Sequence, residues 1–434
     1  MQQLVGNRWF ALGDLLIVFA YGAVVTIWPQ LGGWLIVLVM LPWLFRIVAG
    51  RLNIEKHAFI VPLALIVITA GIGVWAAYDR QAAWGKFWII IGAVAVFTAL
   101  VSQPKENLGV VASLVGLMGV IIAIIFMLNN DWNTQSSDLG VINRAGGWIM
   151  ANRPSIGPLS LSPNIAGGLL AILVPIPFAL GLFSWKKGDR AKAILSLAMG
   201  MVVLIGLFLT SSRGAWIALL LGMAVWVLLK VSVYLSVRIR KPSQLVFILL
   251  LLLLLIPVLW VIGTFPGGVV GLADRLPGLP SGESRLDLAV NTTKLIGDYP
   301  FTGGGLRSFP GLYSQYMMVT PYFLFAYSHN FYLDLFLEQG LLGGIAILAV
   351  VLGGAWMLIR RARDVREDSL IAHFTEAVFI GIVVMLLHGL VDDPLYGDTG
   401  TPLLLLLPAL AIMLVTVENQ PLTMTDHSGC TGYH

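Results

Sequence analysis

The sequence predicts an all-α, polytopic membrane protein of about twelve transmembrane helices. Three observations carry that expectation. The chain is 58% hydrophobic and only 11% charged, whereas soluble domains carry about 25% charged residues. Its mean hydropathy is +0.90. Its apolar residues gather into runs of about 17 to 25 residues, the length that crosses a hydrocarbon core. A single cysteine, Cys430 in a polar tail, leaves no intrachain disulfide and no cysteine metal cluster. The net charge of +4 matters less than where the charges lie.

The runs fall at 11–28, 31–49, 58–77, 86–102, 108–128, 164–184, 191–210, 213–230, 244–263, 331–359, 370–390 and 401–416. Asp14 sits in the first, and no small-residue cleavage site follows it, so it reads as a retained helix and not a signal peptide. Lys and Arg counted by alternate connection divide unequally. Seventeen lie on the side of Arg8, and nine on the other: Arg80, Lys86, Arg144, Arg153, Arg213, Arg275, Arg285, Lys294 and Arg307. The positive-inside bias therefore puts both termini in the cytoplasm and those nine residues outside. No repeat or soluble domain interrupts the pattern, so 1–434 reads as one transmembrane domain with a polar cytoplasmic tail at 418–434.

Two outer connections exceed simple turns. Residues 129–163 are rich in Asn, Ser, Gly and Pro, and 264–328 form the largest extramembrane segment; loops this long in a compact protein usually carry function or are disordered. Within the second, Ser284-Arg285-Leu286-Asp287 reads as a capping box. Leu288, Thr292, Leu295 and Tyr299 then follow on one face, predicting a short amphipathic helix over about 284–299 on the outer leaflet. Gly303-Gly304-Gly305 must then form a tight turn.

Three groups on this outer side carry chemistry. Arg213, in Ser211-Ser212-Arg213-Gly214, stands at the edge of the hydrocarbon, where an ionisable residue is costly and a functional role is the default; the alternative is an arginine snorkelling to headgroups. Arg285 stands near a helix N-terminus, whose free N–H groups and guanidinium together suit a phosphate, unless it merely faces water from an interfacial helix. His329 opens the tenth run with Ser328 as its expected N-cap. The dipole there disfavours an imidazolium, so the ring is expected to be neutral near pH 7 and able to accept a proton; a hydrogen-bonded interfacial histidine is the alternative. Asp392, Asp393 and Asp398 are the nearest thing to a metal-binding set, and helix-end or structural roles suit them better. Tyr313, Tyr316, Tyr322, Tyr327 and Tyr396 suit sugar binding, although aromatic belts place tyrosines at this depth anyway.

His329-Asn330, nine residues, Gly340, two residues and Gly343 resemble the motif of bacterial O-antigen ligases and, more widely, of the ligase and polymerase superfamily acting on undecaprenyl-pyrophosphate glycans. Ser212-Arg213-Gly214-Ala215-Trp216, the Arg285 helix followed by Pro300 and Gly303 to Gly305, Asn164 opening the sixth run, and His388-Gly389-Leu390-Val391-Asp392 resemble the same family in order and spacing. The likeness covers about 160–395; the first five runs match only in number and hydropathy.

The resemblance implies a GT-C-like, metal-independent, inverting glycosyltransferase of the bacterial inner membrane, with a large periplasmic loop and its active site on the periplasmic face. Arg213 and Arg285 would then bind the pyrophosphate and steady the charge that grows on it. His329 would be the general base toward the acceptor hydroxyl, with Asn330, Asn164 and Asp392 in support. The partners implied are the lipid bilayer, an undecaprenyl-pyrophosphate-linked glycan as donor, and lipid A core or another glycan as acceptor; no cofactor, metal or nucleic acid enters. O-antigen polymerase and protein O-oligosaccharyltransferase share these residues. The rival from another class is a transporter or flippase, which predicts inverted repeats and ionisable groups near the midplane.

Overall fold

The structure, a computed structural model of the chain, describes residues 7–50, 59–133, 137, 139–153, 161–266, 268, 282–318, 326–361, 369–397 and 399–418. All regular elements among them are helical. They run α1 (Arg8–Ile27), α2 (Gly32–Val48), α3 (Ile60–Ala76), α4 (Arg80–Val101), α5 (Leu108–Asn129), α6 (Gly140–Asn152), α7 (Pro163–Leu173), α8 (Pro175–Lys186), α9 (Arg190–Leu209), α10 (Arg213–Ile239), α11 (Ser243–Thr264), α12 (Gly282–Asp298), α13 (Phe309–Met317), α14 (Phe331–Arg361), α15 (Leu370–His388) and α16 (Leu406–Glu418). The tail beyond Glu418, with Cys430, and the residues Tyr322 and Asp398 lie outside the described residues.

Every expected apolar run is helical, and the count needs refinement. Nine spans among the described residues are long and apolar enough to cross a membrane, with α7 and α8 taken as one; Ile60–Ala76, Ser243–Pro257 and Thr401–Thr416 are shorter apolar helices. Between α7 and α8 a proline stands at each helix start, where it has no N–H to lose, and Pro175 restarts the chain after a brief break at Val174. Lipid offers no hydrophobic force between helices, so small residues and close packing hold them. A Cβ on Gly206 of α9 would come within 2.6 Å of Ala123 on α5, and one on Gly222 of α10 within 2.7 Å of Val384 on α15.

Buried charges explain themselves pairwise. Asp14, unexpected in an apolar run, ion-pairs with Arg46 of α2, and both are buried. Lys86, expected at the outer boundary, is instead two turns inside α4 and only 4% exposed, because α4 begins six residues before the apolar run does. Its Nζ lies 2.5 Å from Glu338 Oε2 of α14 and 3.9 Å above the Tyr396 ring. Removing one partner of a buried pair strands the other charge, so Lys86→Ala is expected to cost about 3–5 kcal/mol, whereas replacing Lys86 and Glu338 together by methionine is expected to cost far less. Thermal unfolding of the purified protein checks the contrast.

The two long connections differ from expectation in detail. The first, at 129–163, contains α6, whose Gly146 faces Trp132 so closely that a Cβ would come within 2.4 Å of the indole. Arg153 then donates from Nη1 to the carbonyls of Leu128 and Asn130 at 2.7 and 2.9 Å, satisfying carbonyls at the end of α5 that have no intrahelical donor. In the second, α12 begins at Gly282, so Ser284 is inside the helix and does not cap it. Leu288, Thr292 and Leu295 are buried as one face, but they face protein: Leu288 and Leu295 pack with Phe309 and Tyr313 of α13 and Leu337 of α14. Tyr299 lies beyond the helix and is 40% exposed. The amphipathic pattern thus records a protein contact and not a lipid-facing stripe.

Candidate active site

The strongest local departure from regular structure lies inside α14. Gly340 has φ 67° and ψ −175°, which splits the element into a short N-terminal half carrying residues 331–339 and a long C-terminal half. The turn after α12 fills that break. Leu341 N donates to Pro300 O at 2.8 Å, Gly304 N to Leu337 O at 2.6 Å, and Leu306 N to Gly73 O of α3 at 3.0 Å. Gly303 and Gly305 adopt φ 70° and 98°, as the expected tight turn requires. The loop bearing Arg285 is therefore hydrogen-bonded to the half-helix whose mouth bears His329.

At that mouth the cap is Asn330, not Ser328. The Asn330 side-chain oxygen accepts from the N–H groups of Tyr332 and Leu333 at 3.0 and 3.1 Å, satisfying two donors of the first turn. Ser328 instead turns its Oγ to the Asn330 backbone, donating to the carbonyl at 3.1 Å. His329 consequently stands two residues outside the helix with φ 57°, a left-handed conformation that costs a residue with a Cβ about 1 kcal/mol or more. Phe331 N donates to Gly389 O at 2.9 Å and Asn330 Nδ2 to Leu390 O at 3.0 Å, fastening this strained mouth to the segment that follows α15.

That fastening brings three candidate residues together. His329 Nδ1 lies 3.4 Å from Asp392 Oδ1. The Arg285 guanidinium donates to the Val391 carbonyl and reaches within 4.0 Å of Asp392 Oδ2. The side chains of His329 and Arg285 are 27% and 28% exposed, while that of Asp392 is 3% exposed: the imidazole and the guanidinium reach solvent, and the carboxylate between them does not. With the proton on Nδ1 directed at Asp392, Nε2 keeps its lone pair, the tautomer a general base needs. Tyr327 stacks obliquely on the imidazole with ring centroids 4.6 Å apart. Burial, with the charges of Asp392, Asp393 and Asp334 beside it, pushes its phenol well up.

Burial would raise the Asp392 carboxyl, but the hydrogen bond and charge of His329, with His388 beside it, more than offset this and hold it below the ordinary carboxylate range. A depressed carboxyl contributes stability above its unfolded value, near pH 4, and loses it as pH falls through the folded value. Asp392→Asn is therefore expected to melt earlier than wild type at pH 7, with the gap narrowing only below about pH 4. Melting curves at the two pH values check this.

Arg213 opens α10 as expected. It follows Ser211, itself left-handed at φ 57°. The neighbouring Gly214 packs so closely that a Cβ there would come within 2.9 Å of Val391 Cγ2 and 3.7 Å of His388. The helix start that carries Arg213 and the side chain of Arg285 thus both meet the segment 388–392. Asn164 enters through its helix: on α7 a Cβ at Gly167 would meet Ser212 at 2.6 Å and one at Gly168 would meet Pro394 at 2.6 Å and His388 at 2.9 Å. His388 is 1% exposed and its Nδ1 has no hydrogen-bond partner, a feature the motif did not single out. Two expected sugar contacts fall away, since Tyr313 and Tyr396 are 4% and 0% exposed; Tyr316 remains 44% exposed.

All these residues gather at one end of the bundle, where helix starts α7, α10 and α14 meet the end of α15. No curated protein matches the chain. Residues 199–348, which contain Arg213, Arg285, His329 and the Gly340 break, match the family model for O-antigen ligase, and that match supports the O-antigen ligase and polymerase superfamily for this membrane protein.

Proposed function

We propose that the protein is a metal-independent, inverting glycosyltransferase of the O-antigen ligase type. It transfers a glycan from undecaprenyl pyrophosphate to an acceptor hydroxyl such as that of lipid A core. The contact chain Arg285–Asp392–His329 is the observation that carries this reading. It sets a cationic group and a proton acceptor beside one buried carboxylate, and the helix start that carries Arg213 packs on the same segment through Gly214.

In the proposed reaction the acceptor hydroxyl gives its proton to His329 Nε2 as its oxygen attacks the anomeric carbon from the face opposite the pyrophosphate. The new carbon–oxygen bond forms while the bond to the pyrophosphate oxygen breaks, and the configuration inverts. The electron pair departs on the pyrophosphate, where Arg213 and Arg285 meet the growing charge; prearranged charges of this kind are often the largest single contribution to catalysis. Asp392 holds the imidazole and steadies the imidazolium as it forms. Two guanidiniums then perform the neutralisation that a divalent ion performs elsewhere.

The charge asymmetry of the connections supports a chain with both termini cytoplasmic and the site on the outer face of a bacterial inner membrane. On this reading 1–434 is a single transmembrane domain with long outer connections at 129–163 and 264–328. The test supplies undecaprenyl-pyrophosphate glycan with lipid A core, a second glycan, or a serine-bearing protein, each with and without EDTA. Transfer to lipid A core at an unchanged rate in chelator is the expected result. Loss of transfer in chelator removes the two-arginine mechanism, and preference for the glycan or the protein reassigns the enzyme as a polymerase or an O-oligosaccharyltransferase.

A further inference from the structure

The short half of α14 is tied to the segment after α15 at both of its ends. At its start, Phe331 N and Asn330 Nδ2 hold the carbonyls of Gly389 and Leu390. At its end, about 12 Å further on at 1.5 Å per residue, the last residue before the Gly340 break makes the second tie through its side chain. Gln339 Nε2 donates to the Tyr396 hydroxyl at 2.7 Å. Both residues are fully buried, and two early helices close around them. Thr69 of α3 places its hydroxyl 2.8 Å from Gln339 Oε1, and Lys86 of α4, paired with Glu338, lies over the Tyr396 ring. Hydrogen bonds buried in a low dielectric hold such a set in one arrangement.

Gly343, the second glycine of the sequence motif, makes room for this. A Cβ there would stand 2.5 Å from Gln339 Cβ, 2.6 Å from Thr69 Oγ1 and 3.0 Å from Gln339 Oε1. Gly340 breaks the helix, and Gly343 leaves the space that the Gln339 side chain fills. From Tyr396 the connection returns to the candidate site through short bonds. Tyr396 N donates to Asp393 Oδ1 at 2.9 Å, and Asp393 N donates to Asp392 Oδ1 at 2.8 Å, the oxygen that faces His329 Nδ1. Asp392 thus lies between two ties, at 389–390 and at 396, and both ties end on the half-helix that follows His329.

We infer that Gln339 and Tyr396 are positioning residues, a clamp that holds the Asp392 carboxylate against His329 for the transfer reaction. With no exposed surface, they act through Asp392 and not on a substrate. Without the clamp the 393–396 side of the segment is free to shift, and His329 loses the partner that directs its proton to Nδ1 and leaves the Nε2 lone pair for the acceptor.

The inference rests on the proposed glycan transfer for its kinetic readout, and a second readout does not depend on it. Tyr396→Phe keeps the ring under Lys86 and removes the hydroxyl, which leaves the buried Gln339 amide without its acceptor and lowers the melting temperature. Adding Gln339→Leu removes both polar partners at similar volume, a change that is close to neutral for stability, since the Thr69 hydroxyl keeps the Leu65 carbonyl at 2.7 Å. The double variant is therefore expected to melt near the wild type, while its kcat falls about 10–10²-fold, as misplacement of a reacting group does, with the donor KM little changed. Nitrogen-15 spectra of ring-labelled histidine in the full-length protein, with His329 assigned by difference from His329→Ala, are expected to show the proton on Nδ1 in the wild type and a mixture of tautomers in the double variant. A double variant that recovers wild-type kcat together with wild-type melting overturns the inference, as does a His329 tautomer unchanged between the two proteins. If the double variant does not fold, Tyr396→Phe decides alone, and wild-type kcat in it overturns the inference. A wild type that transfers no glycan, beside a double variant that loses the Nδ1 tautomer, overturns the functional reading and leaves the clamp standing.

Discussion

Replacing His329 by alanine is expected to lower glycan transfer on the order of 10²–10⁴-fold, the range a positioned general base supplies. The protein should stay folded, because the side chain is 27% exposed and its polar contact is a long one, 3.4 Å to Asp392. Removing the imidazole withdraws the hydrogen bond that helps to hold the Asp392 carboxyl low, but Asp392 keeps its backbone donor from Asp393 at 2.8 Å and the guanidinium of Arg285 at 4.0 Å, so the loss of stability is expected to be small beside the loss of transfer. Arg285→Ala is expected to cost about 10²–10³-fold by the charge it withdraws from the leaving pyrophosphate. Arg285→Lys restores the charge but not the planar fork and should recover only part of the loss. Assays with purified donor and acceptor, run beside melting curves, separate these effects from unfolding. Wild-type rates in His329→Ala and Arg285→Ala would remove both residues from the mechanism, whereas a wild-type protein that transfers no glycan would overturn the enzyme reading in favour of a transporter.

The helices and the candidate residues were readable from the sequence because hydropathy and charge placement are local signals. Lipid demands that each crossing segment satisfy its own backbone, so apolar length alone announces a helix. What escaped is what depends on other segments. Ser328 and Asn330 are equally good caps by type, and only the docking of Phe331 N on Gly389 O selects the residue that ends extended and the one that begins the helix. The face Leu288, Thr292, Leu295 reads identically whether it meets lipid or protein, and α13 and α14 decide for protein. Lys86 counts as an outer charge until Glu338 and Tyr396 are seen around it.

Gly340 carries a large expected effect on stability and activity together. Its φ of 67° with ψ of −175° falls in a region open to glycine alone, where any other residue is strained by about 1–3 kcal/mol. Space adds to strain, since a Cβ there would stand 2.2 Å from the Phe301 carbonyl oxygen, 2.7 Å from its carbon and 2.8 Å from Gly303 N. These are backbone atoms, unable to yield by a rotamer change, so the loop must lift or α14 must straighten. Either movement breaks the bonds from Leu341 N to Pro300 O and from Gly304 N to Leu337 O. Gly340→Ala is accordingly expected to lose about 3 kcal/mol or more and to lose transfer as well, because those bonds tie the Arg285 loop to the half-helix beneath His329. Gly71→Ala is the control: a Cβ there meets nothing within 4 Å in the helix α3, where alanine is favoured over glycine by about 0.5–1 kcal/mol. Melting temperature and transfer rate are measured on both. A Gly340→Ala protein that melts with the wild type would show that the break in α14 does not require glycine, whereas loss of both properties, set against His329→Ala losing activity alone, separates the residue that builds the site from the residue that acts in it.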